Sequence, residues 1–187
     1  MRLKIHKKYK PANDVVFSVM FESVEMFTRL LSAVTKEQQN IVSVVSQASR
    51  YNETVDEKTI RFDTRGVDNK GRIYSMDMQR TYFRKRHINR TVYYASREIS
   101  KQEVLKFRYE DLLSVSVTFL ITDRKDHKIE MIQLRSEDGQ VYTDLMTMYN
   151  VYLPKSIDRN TSCDDVDVFM DFLAIEDVAM AEQFEKK

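Results

Sequence analysis

The feature that most constrains this chain is a pair of alternating segments, residues 58–67 and 72–80, joined by Asn69-Lys70-Gly71. Side chains on a strand alternate between faces, and a short loop ending in Gly between two such segments marks a hairpin. With a three-residue loop, Asp68 faces Arg72 and the numbers of paired residues sum to 140. Asp63 then falls opposite Asp77, and Arg61 opposite Gln79. The even positions Ile60, Phe62, Thr64, Tyr74, Met76 and Met78 form a largely apolar face, expected to point into a core. The odd positions Arg61, Asp63, Arg65, Ser75, Asp77 and Gln79 form a polar one. Two carboxylates facing each other across a ladder repel by roughly a few tenths to 1 kcal/mol even when exposed. Arg61 or Arg65 could compensate. So could a divalent cation, because Mg²⁺ is held by one or two carboxylates together with water and substrate phosphate. Spacing alone leaves both answers open.

The rest of the chain builds around that hairpin. Pro11 precedes a helix expected over residues 13–34, capped by Asn13 or Asp14, with Phe17, Met20, Phe21, Val24, Phe27 and Leu31 at helical spacing. Residues 41–48 read as a strand and 50–57 as a polar connection. At about Thr81 the period changes to helical. The helix expected over residues 81–102 carries Ile88, Val92, Ala95 and Ile99 on one face, with Arg86, Arg90, Arg97 and Lys101 on the other. Residues 112–122 are a near-continuous apolar run, which suits a central strand. Residues 129–134 and 140–152 are further strands around a turn at Glu137-Asp138-Gly139, and an acidic amphipathic helix follows from about Val166. The expected fold is α/β, a mixed sheet of at least four strands flanked by helices, in one domain spanning 1–187.

Composition bounds the class. A chain of 187 residues, 42% hydrophobic and 32% charged, is long enough to bury a core and too apolar for disorder. Only three Gly and two Pro argue against a loop-rich sandwich. A single cysteine, Cys163, cannot form an internal disulfide. The basic N-terminus is followed by no apolar stretch, so neither a signal peptide nor a membrane span is expected, and the expected location is cytoplasmic. Net charge is +1, yet residues 80–90 hold Arg80, Arg84, Lys85, Arg86 and Arg90 without an acid, while Asp164 to Glu185 carry eight carboxylates without a base. A local basic strip can bind phosphates where a neutral average cannot.

At the hairpin the resemblance to a known family becomes specific. The stretch FDTRGVDNKGRIYSMDMQR, followed by RTVYYAS, resembles the core of the PD-(D/E)XK nuclease superfamily, and within it the branch of recombination-promoting nucleases and transposases. In that branch an Asp ends one hairpin strand, and an acidic-x-Gln triplet replaces acidic-x-Lys on the next. Asp63 matches the first acid and Asp77-Met78-Gln79 the triplet, with Asp77 standing where Glu is usual. The opening PANDVVFSVMF, with Asp14 and Phe17, is similar to the branch's N-terminal helix, and Arg90 with Tyr93 and Tyr94 resembles the helix after the triplet. The similarity covers roughly residues 10–123.

The resemblance implies a restriction-endonuclease-like core and a Mg²⁺- or Mn²⁺-dependent DNA endonuclease of mobile-element or recombination type. Asp63 and Asp77 would be metal ligands and, with Gln79, the catalytic residues; the Met78 carbonyl would be a further ligand. Gln79 would orient a water or donate to phosphate, uncharged and so weaker than Lys. Arg80, Arg84, Arg86 and Arg90 would bind DNA phosphates. The partner would be DNA and no membrane, with a homodimer compatible with both. The alternative is a catalytically inactive module of the same fold that binds DNA or protein and keeps its acids in a salt-bridge network. His6, His87 and His127 share no spacing and read as surface residues. Asp164, Asp165, Asp167 and Asp171 read as the acidic start of a helix rather than a metal cluster.

Overall fold

The computed structural model describes residues 10–46, 62–79, 84–102, 108–122, 128–154, 165–176 and 178–185. His6, the 50–57 connection, Ile60, Arg61, Arg80, His127, Cys163 and Asp164 lie outside the described residues. In chain order the elements are α1 (Asp14–Met20), α2 (Val24–Thr35), β1 (Ile41–Ser46), β2 (Thr64–Asp68), β3 (Ile73–Gln79), α3 (Arg84–Ser100), β4 (Val115–Ile121), β5 (Lys128–Gln133), β6 (Met146–Tyr152), α4 (Asp165–Leu173) and α5 (Val178–Glu185). The strands form one mixed six-stranded sheet in the order β1-β2-β3-β4-β6-β5. β3, β4 and β6 run parallel, and the outer pairs are antiparallel.

The hairpin folds at the expected register. Thr64 pairs with Met76, Arg65 with Ser75, Gly66 with Tyr74 and Val67 with Ile73. Its turn is locked by Asp68, whose carboxylate accepts the Lys70 and Arg72 backbone N–H groups at 2.9 and 2.8 Å and the Arg72 Nε at 2.6 Å. Burial pushes this carboxyl up, but those bonds outweigh it and hold it below the usual range. Gly71 takes the φ of +79° that closes the turn.

Each sheet face has its own core. On one side Phe17, Phe21, Phe27, Leu30, Leu31 and Val34 of the N-terminal helices, with Phe169, Met170 and Leu173 of α4, pack on Tyr74, Met76, Met78, Leu120 and Val151. On the other, Tyr94 and Ala95 of α3 pack on Ile73, Val115, Val117, Phe119, Ile121 and Met148. β4 is covered on both faces, which is why its second half, Phe119, Leu120 and Ile121, is apolar without alternation.

Three expectations need correction. The helix expected over 13–34 is two helices. Ser23 leaves helical geometry, and its Oγ accepts the Met26 N–H at 3.4 Å as the cap of α2. At 3.6 residues per turn, Phe17 and Leu30 on one continuous helix would point roughly 140° apart; the break aims both into the same core. The acidic C-terminal helix is likewise two helices, and Asp171 in α4 is buried. Phe62 is buried as expected but on the opposite face from Tyr74, Met76 and Met78: it packs edge-on against Tyr94 of α3, with ring centroids 5.1 Å apart.

Gly66 marks where the sheet meets α2. A Cβ there would lie 2.5 Å from Cε1 of Phe27, a fully buried ring. Gly66→Ala is therefore expected to destabilise the protein by about 1–3 kcal/mol through overpacking. Urea unfolding checks this, as a lowered midpoint at unchanged slope.

Candidate active site

The polar face of the hairpin is not solvated; it forms a seam beneath α3. The buried side of that helix is His87, Thr91, Tyr94, Ala95 and Glu98, with Arg90 at its edge. Ile88 and Val92, expected inward, are 48% and 44% exposed. Ile99 packs against the core as expected. The facing strand explains the rotation. β3 presents Asp77 and Gln79 to the helix and β2 presents Arg65, so the helix meets them with Arg90 and Glu98.

Asp77 is only 4% exposed. Its Oδ2 accepts Nη2 of Arg90 at 2.9 Å and also the Nε2 of Gln79. The same Gln79 nitrogen donates to the Met78 carbonyl at 3.1 Å, and Gln79 Oε1 accepts Nη1 of Arg90 at 2.6 Å. The guanidinium lies 4.8 Å over the Tyr94 ring. Further along the seam Arg65 Nε donates to Oε2 of Glu98 at 3.1 Å, and Glu98 is 2% exposed. At Asp77 Arg90 supplies a compensating cation and Arg65 serves Glu98, while Arg61 lies outside the described residues.

Asp63 sits one residue beyond the β2 ladder and is half-buried. Asp68 N–H bonds to the Arg72 carbonyl at 3.1 Å, which makes that a hydrogen-bonded pair. Alternation would then give the Met78 N–H to the carbonyl of Phe62. Instead the Asp63 carboxylate takes it, Oδ2 at 2.7 Å, while the Asp63 N–H bonds to the Met76 carbonyl at 3.1 Å. This local departure from the ladder accounts for Phe62 crossing to the α3 side. Ser18 of α1 donates to the Asp63 carbonyl at 3.3 Å, so the N-terminal helix also touches the site. Burial raises the Tyr94 phenol, Arg90 lowers it, and Asp77 and Asp63 both raise it, so both carboxylates act on one ring.

The two carboxylates therefore flank Met78, one on its N–H and one beside its carbonyl. Asp77 Oδ2 and the Met78 carbonyl converge on a single nitrogen atom. Such a convergence of hard oxygen donors suits a cation held beside that nitrogen. Among the described residues no group of three His, Cys, Asp or Glu side chains is arranged to hold a metal, so a carbonyl or water would complete any such set.

Of the arginines expected to bind phosphate, Arg90 is in the site, Arg86 is exposed on the outer side of α3, Arg84 opens that helix, and Arg80 lies outside the described residues. Tyr94 is core and Tyr93 is at the surface. Sequence reasoning missed Glu98, Ser18 and His87. His87, read as a surface residue, is buried, with Nε2 2.8 Å from Asn150 Oδ1 and its ring edge-on to Phe119. The signal that could have found it was a polar stripe, His87, Thr91 and Glu98, at helical spacing.

A family model for the PD-(D/E)XK nuclease family transposases matches residues 11–186. That is nearly the whole chain, well beyond the 10–123 over which the motifs are legible. No curated protein and no solved structure gives a match.

Burial lowers the His87 pKa below the ordinary 6.5, against the Asn150 hydrogen bond, which raises it; Arg90 lowers it further and Glu130 raises it. The unfolded chain then binds the proton more readily. The contribution of His87 to stability is full above the unfolded pKa of 6.5 and is lost as pH falls through the lower folded value. A melting series through and below pH 6.5 should show the loss, and His87→Gln should flatten it. Parallel curves for the two proteins would refute the assignment.

Proposed function

Because the chain belongs to the PD-(D/E)XK nuclease family transposases, we propose that it is a metal-dependent DNA endonuclease of mobile-element or recombination type. The observation that carries this reading is the convergence of oxygens around Met78. Asp77 Oδ2 and the Met78 carbonyl share one donor, and the Asp63 carboxylate is held by the neighbouring amide. Asp63, Asp77 and the Met78 carbonyl would hold Mg²⁺ or Mn²⁺. The bound ion would neutralise charge at the scissile phosphate and lower the pKa of an attacking water.

The protein's own groups have distinct tasks in this reading. Gln79 orients the water or donates to a phosphate oxygen through its amide. Arg80, Arg84, Arg86 and Arg90 hold the DNA backbone, which positions it without reading sequence. Tyr94 supports the Arg90 guanidinium from below. We place the reaction in the cytoplasm, with a homodimer as the assembly that would bring two such sites to two strands. No described helix is long and apolar enough to cross a membrane.

One observation favours a second reading. Asp77 is buried and ion-paired to Arg90, as a catalytically inactive module that binds DNA or protein would have it. The experiment is plasmid nicking with Mg²⁺ or Mn²⁺, with and without chelator, on the wild type and Asp63→Asn. The endonuclease reading expects chelator-sensitive nicking that the variant loses. It also expects metal-free stability to hold or rise, because the substituted amide can still accept the Met78 N–H through its oxygen while one like charge is gone. Stabilisation by Mn²⁺ should shrink. A wild type without cleavage or metal response, and a variant destabilised without metal, would decide for the inactive module.

A further inference from the structure

We propose that Arg90 is a displaceable latch that holds Gln79 in the amide orientation that blocks the metal position. This rests on the endonuclease reading and concerns a second task for a residue so far assigned to phosphate. Arg90 makes two bonds at once, Nη1 to Gln79 Oε1 at 2.6 Å and Nη2 to Asp77 Oδ2 at 2.9 Å. The first fixes the Gln79 side chain. With Oε1 turned toward the guanidinium, Nε2 must face Asp77 Oδ2 and the Met78 carbonyl, as it does. The group that completes a triangle with the two oxygens is thus a nitrogen that can only donate. A cation held beside that triangle would meet the hydrogens of an amide.

Half a turn of that amide reverses the situation. Oε1 would join Asp77 Oδ2 and the Met78 carbonyl as a third oxygen, while Nε2 would face Arg90, donor against donor. The turned amide and the docked guanidinium therefore exclude each other. The two ends of an amide differ little in shape, so the turn needs no repacking. It makes a two-state element whose equilibrium both Arg90 and a cation bias.

The surroundings permit the arginine to leave. Its side chain is 32% exposed, and it rests on the flat face of Tyr94. The helix that carries it is anchored elsewhere, by Arg65 on Glu98 and by Tyr94 and Ala95 in the core. Undocking Arg90 therefore does not undock α3. A released guanidinium at the mouth of the site is a bidentate ligand for phosphate. Arg90 would neutralise Asp77 when no cation is bound and hold the substrate backbone when one is.

The test is Mn²⁺ affinity, read from the electron paramagnetic resonance signal of free Mn²⁺, for the wild type, Arg90→Met and Lys70→Met, without DNA. Lys70 is exposed in the turn of the same hairpin, so its variant reports the bare effect of removing one positive charge. The latch expects Arg90→Met to bind Mn²⁺ about fivefold more tightly, as loss of a competing ion pair of ordinary strength implies. Lys70→Met should stay within about twofold, because an exposed charge is screened. Equal changes in the two variants, or weaker binding by Arg90→Met, would overturn the latch and leave the endonuclease reading standing. No Mn²⁺ binding by any of the three would overturn both. If Arg90→Met does not fold, Arg90→Lys carries the test. Its single ammonium keeps the charge but cannot span both acceptors, so tighter binding than wild type supports the latch and unchanged or weaker binding overturns it.

Discussion

The α3 side of the sheet depends on one pairing, the guanidinium of Arg90 against the carboxylate of Asp77. Asp77 lies on an interior strand and is almost wholly buried. An ionised carboxylate left there without a partner would cost several kcal/mol. The helix that covers it must bring a cation to that spot, which fixes its rotation and leaves Ile88 and Val92 in solvent. The second pair, Arg65 with Glu98, has the opposite polarity, with the arginine on the sheet and the acid on the helix. Reversing the helix would set Arg90 toward Arg65 and Glu98 toward Asp77. The two pairs together therefore fix direction as well as rotation, which an apolar seam would do less sharply.

This seam separates what the sequence made legible from what it hid. The hairpin register was readable because it depends on local facts, strand alternation and a Gly-closed loop, and the pairs from Thr64–Met76 to Val67–Ile73 follow it. Parity holds only while a ladder continues. The Asp63 carboxylate replaces a backbone acceptor for Met78, and Phe62 just beyond it changes face. The orientation of α3 was hidden because hydrophobic periodicity assumes that apolar residues face inward. Where the facing strands offer Arg65 and Asp77, a stripe of Arg90 and Glu98 is the better inner face. The break at Ser23 was hidden because a Ser inside a periodic run reads as tolerated until the core shows that Phe17 and Leu30 must converge.

The candidate site was legible in part for the same reason. Asp77 and Gln79 sit on one hairpin strand and Asp63 one residue before the other, so the register brings them near one another, although Asp63 leaves the ladder to bond the Met78 amide. Ser18, Glu98 and His87 reach the seam through the packing of α1 and α3, which no local pattern encodes. The C-terminal third carried no legible motif because its contribution is packing. β6 lies beside β4, and Phe169, Met170 and Leu173 of α4 close the core beneath Phe21. Such positions ask for apolar volume rather than particular residues, so the family match extends to residue 186 where the motifs do not.

Stability alone does not account for four charged side chains in one seam. Well-packed apolar residues in place of a buried ion pair are often neutral or stabilising by about 1–4 kcal/mol. Arg65 with Glu98 is explained by the placement of α3, since the pair joins one sheet residue to one helix residue at one end of the helix contact. Asp77 is different. Its Oδ2 serves both Arg90 and Gln79, Gln79 also holds the Met78 carbonyl, and a second carboxylate bonds the Met78 amide. A pair kept only to orient a helix needs one donor and one acceptor. Several acceptors drawn around a single residue, with side-chain donors shared between them, are more than the orientation of a helix requires.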